Sequence, residues 1–277
     1  MKIRHYILAF CFLLSSHISF AQWVKTTGPS EVKANVIEQY NSKLFLGTGQ
    51  SGIFKSVNNA TSWTRVNAFP DSASISGISK IIDFNDTLFA SSYNNIYKSD
   101  DSGATWVYAN TGIPDTMYSY NLFLADGNLF ATAYALDWLT SNLFTRLYHY
   151  NTTTLQWTEL PNLPQDVVIT SISSLHDTIF CAAPGHGILK THTFGTNWDS
   201  VNITFGAINT NDVTLLATNG SIIYAIGEVG GTEILSSPNG INWSQQTVNV
   251  LAFNPVNAFQ CRIYIIKKGP LTGGPKL

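Results

Sequence analysis

Five stretches of this chain close on a tryptophan at nearly constant spacing: KSVNNATSW (55–63), KSDDSGATW (98–106), HYNTTTLQW (149–157), KTHTFGTNW (190–198) and LSSPNGINW (235–243). Trp63, Trp106, Trp157, Trp198 and Trp243 stand 43, 51, 41 and 45 residues apart. A unit this small cannot bury its own apolar face, so it must stack on copies of itself, and that requirement fixes the architecture ahead of any other feature. A second landmark precedes each tryptophan: Leu44-Phe45-Leu46, Leu88-Phe89-Ala90, Leu129-Phe130-Ala131, Ile179-Phe180-Cys181 and Ile223-Tyr224-Ala225. These apolar, aromatic-rich runs lie beside turn signals such as Asn85-Asp86, Asp126-Gly127 and Asn219-Gly220. Another apolar run comes earlier in the unit (78–84, 169–175), and a short alternating segment follows the tryptophan. Each unit therefore reads as four antiparallel strands, A to D, with the tryptophan opening strand D. No segment carries a sustained helical period.

The second stretch has the composition of an active site, with Ser99, Asp100, Asp101 and Ser102 side by side. Its copies argue for a turn instead. Ser56 is kept in the first stretch, but Asn58 and Ala60 stand where Asp101 and Gly103 stand in the second. Thr152 and Thr154 take those places in the third, Thr193 replaces the acid in the fourth beside Gly195, and the fifth offers Asn239-Gly240 in an open register. Catalytic acids would not tolerate such drift. A turn would, because Asp, Asn, Ser and Thr all bond turn amides and glycine supplies a positive φ. Burying an indole such as Trp106 removes roughly 150–250 Å² from water, about 4–6 kcal/mol gross.

Ser99-x-Asp101-x-Gly103-x-x-Trp106 matches the Asp-box, or BNR repeat, at every defining position. The chain thus resembles a family that includes sialidases, sortilin-type receptors, photosystem assembly factor propellers and many secreted bacterial proteins. The resemblance spans about residues 23–269. It implies an all-β fold, a β-propeller of four-stranded antiparallel blades, with five recognisable blades and an incomplete sixth closed by the N-terminal strand at Trp23-Val24-Lys25-Thr26. It also implies that the boxes are hairpins at the outer rim, so Ser56, Trp63, Ser99, Asp101, Gly103, Trp106, Trp157, Gly195, Trp198, Gly240 and Trp243 are expected to be structural.

Residues 1–21 read as a secretory signal: Lys2, Arg4 and His5, then the apolar run 6–14, then Phe20-Ala21 before Gln22. The propeller is expected over 22–269. After Trp243 only strands A (248–253) and B (261–267) of a sixth unit follow, and 270–277 reads as a tail, either of a short last blade or of a truncated frame. Removing Lys2 and Arg4 from the 15 basic residues leaves 13 against 17 acids, a formal charge of −4. With no basic run, that balance argues against nucleic acid and anionic membrane as partners. No second long apolar run follows the leader, so no transmembrane segment is expected, and the chain reads as a secreted monomer, extracellular, on the cell surface or periplasmic. Cys181 and Cys261 could pair in an oxidising compartment, but both sit in apolar strand-like runs, which reads as two buried thiols.

Ligands in the resembled family usually occupy the face opposite the boxes, formed by the B–C and D–A loops. Phe69-Pro70-Asp71, Ile113-Pro114-Asp115 and Leu163-Pro164-Gln165-Asp166 place three carboxylates there. The plainer reading is a proline turn whose Asp bonds its own backbone. The third unit is longer, with 27 residues from Phe130 to Trp157 where the others have 17–19, and carries Trp138 in the extra length. Tyr118 and His186 fall in comparable loops. The candidate ligand-face residues are thus Asp71, Asp115, Tyr118, Trp138, Asp166 and His186, for a glycan, protein or peptide ligand. Sialidases of the family need an arginine triad and an Arg-Ile-Pro element, whereas the mature chain has only Arg65, Arg146 and Arg262 and no such element. No catalytic residue, cofactor site or metal site is assigned, and a binding or scaffold module is expected. The alternative is a glycoside hydrolase using two channel-facing acids.

Overall fold

The computed structural model describes residues 27–29, 32–70, 77–137, 142–201, 204–205, 208–209, 213–227 and 233–246. The leader, Trp23, Asp71, Trp138, Cys261, the two strands expected for a sixth unit and the tail lie outside the described residues.

The first sheet holds β1 (Ala34–Tyr40), β2 (Lys43–Thr48), β3 (Ile53–Ser56) and β4 (Thr64–Arg65). The second holds β5 (Lys80–Phe84), β6 (Thr87–Ser91), β7 (Ile96–Ser99) and β8 (Val107–Tyr108). The third holds β9 (Tyr118–Ala125), β10 (Asn128–Asp137), β11 (Asn142–Asn151) and β12 (Gln156–Glu159). The fourth holds β13 (Ser171–Leu175), β14 (Thr178–Ala183), β15 (Gly187–Thr191) and β16 (Asp199–Val201). A small hairpin, β17 (Thr204–Phe205) with β18 (Ile208–Asn209), precedes the fifth: β19 (Val213–Thr218), β20 (Ile223–Gly227), β21 (Glu233–Ser237) and β22 (Ser244–Gln246). Each sheet is an antiparallel meander in chain order.

The tryptophan generally stands one residue before the fourth strand and lies inside it only in the third sheet. The extra length of the third unit is spent on pairing. Instead of a loop carrying the insertion, β10 and β11 run on in register from Phe130↔His149 to Asp137↔Asn142.

Successive first strands pack on one another, β1 on β5, β5 on β9, β9 on β13 and β13 on β19, which puts strand A innermost and strand D at the rim. The five sheets do not by themselves close a ring. The sixth unit and the closing N-terminal strand expected from the sequence fall outside the described residues.

Because side chains alternate along a strand, a sheet covered on both faces feeds two cores at once. Leu88 and Ala90 of β6 join the core shared with the first sheet, while Phe89 joins the core shared with the third. Ile179, Cys181 and Ala183 of β14 face the third sheet, and Phe180 and Ala182 face the fifth. Four cores result, one at each interface between consecutive sheets. Cys181 is fully buried in one of them, and burial pushes its thiol well above the usual range.

The two sequence landmarks meet across these interfaces. Phe45 of the first sheet lies under Gly103 of the second sheet's hairpin, so close that a Cβ on that glycine would stand 2.2 Å from the ring. Phe180 lies under Gly240 in the same way, again 2.2 Å from a notional Cβ. Trp106, only 3% exposed, docks on the preceding sheet's linker: its ring stacks on Phe69 at 5.3 Å and its backbone N–H donates to the Ala68 carbonyl at 2.9 Å. Trp157 donates through its backbone to Thr111 O at 2.9 Å and through Nε1 to Ala109 O at 2.6 Å, and Trp198 Nε1 donates to Pro161 O at 3.0 Å.

Gly103→Ala combines a φ of +74° with a collision against Phe45, and is expected to destabilise the protein by about 2–5 kcal/mol. Gly127→Ala sits at φ +65° with nothing within 4 Å of the new methyl, and is expected to cost only about 1 kcal/mol. Urea unfolding of the two variants measures the difference. Equal losses would show that the ring beneath Gly103 carries no weight.

Candidate functional site

The acidic cluster of the second hairpin is fully engaged in building its turn. Ser99 Oγ donates to Asp101 Oδ1 at 2.8 Å and accepts the Gly103 N–H at 2.9 Å. Asp101 further accepts the N–H groups of Ala104 (2.9 Å) and Thr105 (2.8 Å), and the Thr105 hydroxyl at 2.6 Å. These bonds, led by that of the Thr105 hydroxyl, hold the Asp101 carboxyl well below the ordinary carboxylate range even though the residue is exposed. Such an acid is a fixed anion at any ordinary pH and has no proton to give. Asp100 points outward to Thr87 Oγ1 at 2.9 Å and Lys98 at 3.2 Å.

The copies reproduce this wiring with other side chains. In the first hairpin Ser56 Oγ accepts Ala60 N–H at 2.9 Å, Asn58 Oδ1 accepts Ser62 N–H at 2.9 Å, and Ala60 itself takes a φ of 64°. In the fourth, Thr191 Oγ1 accepts Gly195 N–H at 3.0 Å and Thr193 Oγ1 accepts Asn197 N–H at 3.0 Å. The fifth resolves its register: Ser237 bonds Asn239 at 3.2 Å, and Asn239 Oδ1 accepts the N–H groups of Ile241 and Asn242. The third departs from the pattern. Asn151 Oδ1 accepts Thr153 and Thr154 N–H groups, and Leu155 takes the left-handed conformation at φ 57°.

The A–B turns share an end of the fan with these hairpins, since Lys43 Nζ donates to Ser102 O at 3.5 Å and Tyr40 OH to Asp86 O at 2.7 Å. The B–C and D–A loops share the other end, where Gly77 N–H donates to Gly49 O at 2.8 Å and Tyr120 N–H to Ser92 O at 3.2 Å. Asp115 stands exposed there, on the linker from β8 to β9, between the buried Ile113 and Met117 that pin that linker. Asp166 is likewise exposed, at φ 62°, on the linker from β12 to β13 beside buried Val167. His186 is exposed at the tip of the β14–β15 turn, its N–H donating to Ala183 O at 2.8 Å between Gly185 and Gly187 at positive φ. Among the described residues no cluster of three or more His, Cys, Asp or Glu could hold a metal ion, and no helix is long and apolar enough to cross a membrane.

Of the candidates, Tyr118 opens β9 instead of lying in a loop, and it gains a partner that sequence reasoning missed. Its ring lies 5.5 Å from that of Tyr93, on the β6–β7 loop of the neighbouring sheet, at a 39° tilt. Tyr93 is 53% exposed. The available signal was an aromatic inside a Ser-Tyr-Asn-Asn turn, where packing has no use for a large ring. Beneath this end of the fan, on the inner strands, Lys80 of β5 is held below its usual range by burial, with Glu38 of β1 drawing it partly back.

No protein-family model matches the chain, and no curated protein resembles it in sequence. Its likeness is to solved structures at low identity. A GH74 xyloglucanase from Xanthomonas campestris superposes with a TM-score of 0.55 at 15% identity over 71% of this chain and 34% of its own. The extracellular domain of a putative hybrid two-component system from B. thetaiotaomicron gives 0.54 at 15% over 77% and 28%. YCF48 bound to D1 peptide gives 0.55 at 15% over 81% and 70%. The chain spans only about a third of the first two proteins' lengths. These neighbours place the fold among the β-propellers.

Because the Asp101 pKa is lowered by folding, its contribution to stability is complete above the unfolded value near 3.9 and declines as pH falls below it. Asp101→Asn keeps an acceptor oxygen, as Asn58 and Asn239 do, so it is expected to lose less than about 1 kcal/mol at pH 7 and to flatten the acid limb of the stability curve. Asp101→Ala is expected to cost about 1–3 kcal/mol at pH 7. Thermal unfolding between pH 2 and pH 7 reads both effects. An acid limb unchanged in Asp101→Asn would remove Asp101 from the account.

Proposed function

We propose that the chain is a secreted β-propeller of the Asp-box type, acting as a non-catalytic binding or scaffold module outside the cytoplasm, with its ligand on the face formed by the B–C and D–A loops. The observation that carries this reading is the bonding of Asp101. The most reagent-like cluster in the sequence is committed to a turn on the opposite end of the fan. At the loop end the side chains of Asp115, Asp166, Tyr93 and His186 stand exposed.

Closure of the ring by residues 23–26 belongs to the same proposal. Thr27 Oγ1 donates to Thr61 O, two residues before Trp63, as Asn162 Nδ2 on the β12–β13 linker donates to Thr196 O, two residues before Trp198. Thr27 thus stands toward the first hairpin as a D–A linker stands toward the next. The ligand is proposed as a glycan or a peptide. One structural neighbour is bound to a peptide and another is a xyloglucanase, so both classes stay in view. The glycosidase reading needs two acids across one substrate, and only Asp115 and Asp166 among the described Pro-Asp elements qualify.

Screening the full chain on a glycan and peptide array, with fluorogenic glycosides alongside, tests the reading. The double change Asp115→Lys with Asp166→Lys is expected to alter affinity for a captured ligand by about fivefold or more. Asp177→Lys, at the hairpin end, is expected to leave it unchanged. Glycoside turnover abolished by Asp115→Asn would replace the binding module with a hydrolase.

A further inference from the structure

Among the described side chains at the loop end, Tyr93 is the one large aromatic with more than half its surface in water, and it stands on a loop whose backbone is held by hydrogen bonds. Its loop is fixed at three points. Ser92, 3% exposed, donates through Oγ to Asn95 O at 2.9 Å and accepts the Asn95 N–H at 3.0 Å, while Ser92 O accepts the Tyr120 N–H from the next sheet. Tyr120 is tied in turn through its carbonyl to Ser79 Oγ at 2.9 Å and through its hydroxyl to Met117 O at 2.9 Å. Tyr93 and Tyr118 therefore stand on adjoining sheets, close to the inner strands, as two tilted rings 5.5 Å apart.

Packing does not account for this exposure. Phe89, Tyr97 and Tyr148 of these two sheets are almost wholly buried, and the other markedly exposed ring, Tyr108 at 45%, lies on the outer strand β8. A ring fixed in position before binding has little conformational entropy left to lose, which is how rigid aromatic anchors earn affinity.

We propose that Tyr93 and Tyr118 form a stacking subsite for the pyranose ring of an uncharged glycan, with the exposed Asn94 amide and Asp115 carboxylate beside them to take the sugar hydroxyls. This deepens the loop-face reading and rests on it. The polar neighbours are an amide and an acid, both suited to hydroxyl groups, and the lysine nearest the loop in register, Lys80 opposite Ser91, is half-buried on the inner strand β5. An acidic sugar or a phosphorylated ligand would meet repulsion from Asp115. An extended peptide would look for an unpaired strand edge: β6 is paired on both sides and offers none, whereas β9 pairs only with β10 and leaves one edge, which the peptide arm below probes.

Affinity electrophoresis of the full chain through gels containing cereal β-glucan, galactomannan, xylan or amylopectin, with fluorescent decaproline as the peptide arm, tests the assignment. Retardation by at least one of the neutral polysaccharides is expected. Tyr93→Ala should weaken it about tenfold or more, and Tyr93→Phe, which keeps the stacking face, should stay within about twofold. Near-UV circular dichroism should show both variants folded, since Tyr93 supports no core. The proposal is overturned if no polysaccharide retards the protein, or if Tyr93→Ala binds as the parent does. Tyr93-dependent binding of decaproline without polysaccharide binding would overturn the sugar class and leave the loop face as the binding face. Polysaccharide binding that resists Tyr93→Ala but is lost in Asp177→Lys would overturn both.

Discussion

The interfaces in this fold depend on what lies beneath the hairpin that joins the third and fourth strands of each following sheet. At the first and the fourth interface it is an aromatic ring from the second strand of the preceding sheet, and at the third, where the hairpin glycine is Gly195, it is Leu160 and Pro161 of the preceding linker. Phe45 under Gly103 and Phe180 under Gly240 are the clearest cases, each leaving no room for a side chain on the glycine. A sheet of four short strands is marginal alone, so its stability must come from its neighbours. The ring and the indole divide that task. The aromatic of one sheet reaches forward under the next hairpin, and the tryptophan of that hairpin reaches back to the linker behind it, as Trp106 does to Ala68 and Phe69.

This arrangement accounts for what could be read from sequence. Five indoles at a steady period, and an aromatic about eighteen residues before most of them, define the sheets because both recur wherever an interface recurs. Strand count, antiparallel order and the role of the polar cluster as a turn followed from local chemistry. Two things did not follow. The landmarks were legible as features of one unit, although their partners lie in the adjacent one, and sequence spacing carries no sign of a contact between Phe45 and Gly103. Tyr93 carried a signal as an aromatic within a turn, but its exposure was not legible, because exposure depends on what the neighbouring sheet leaves uncovered.

The candidate site was legible only in outline. Pro-Asp elements mark D–A linkers correctly for Asp115 and Asp166, since proline ends strands and the buried neighbours Ile113, Met117 and Val167 anchor the linkers. A turn chemistry that serves so many backbones cannot also announce a ligand. What distinguishes the loop end is the combination of fixed backbone and idle side chains, and that combination exists only once adjacent sheets have been brought together.

The third hairpin shows how far the motif can drift while the contact persists. It lacks the glycine, and Leu155 supplies the left-handed turn instead. Phe89, the aromatic of the preceding sheet, packs edge-on against Tyr150 at 5.0 Å, so a side chain fills the space that the hairpin glycine leaves open at other interfaces. The need for a residue without a side chain has moved across the interface. Gly112, on the linker of the second sheet at φ +99°, lies so close to Trp157 that a Cβ there would stand 2.1 Å from its carbonyl oxygen. That approach lets Trp157 bond the linker through both its backbone and its indole. Selection for sheet-to-sheet docking thus acts on the pair of surfaces, and either side can provide the room. Hydrogen-bonding side chains in the turn are then interchangeable, which is why Asp, Asn and Thr all serve at the position of Asp101.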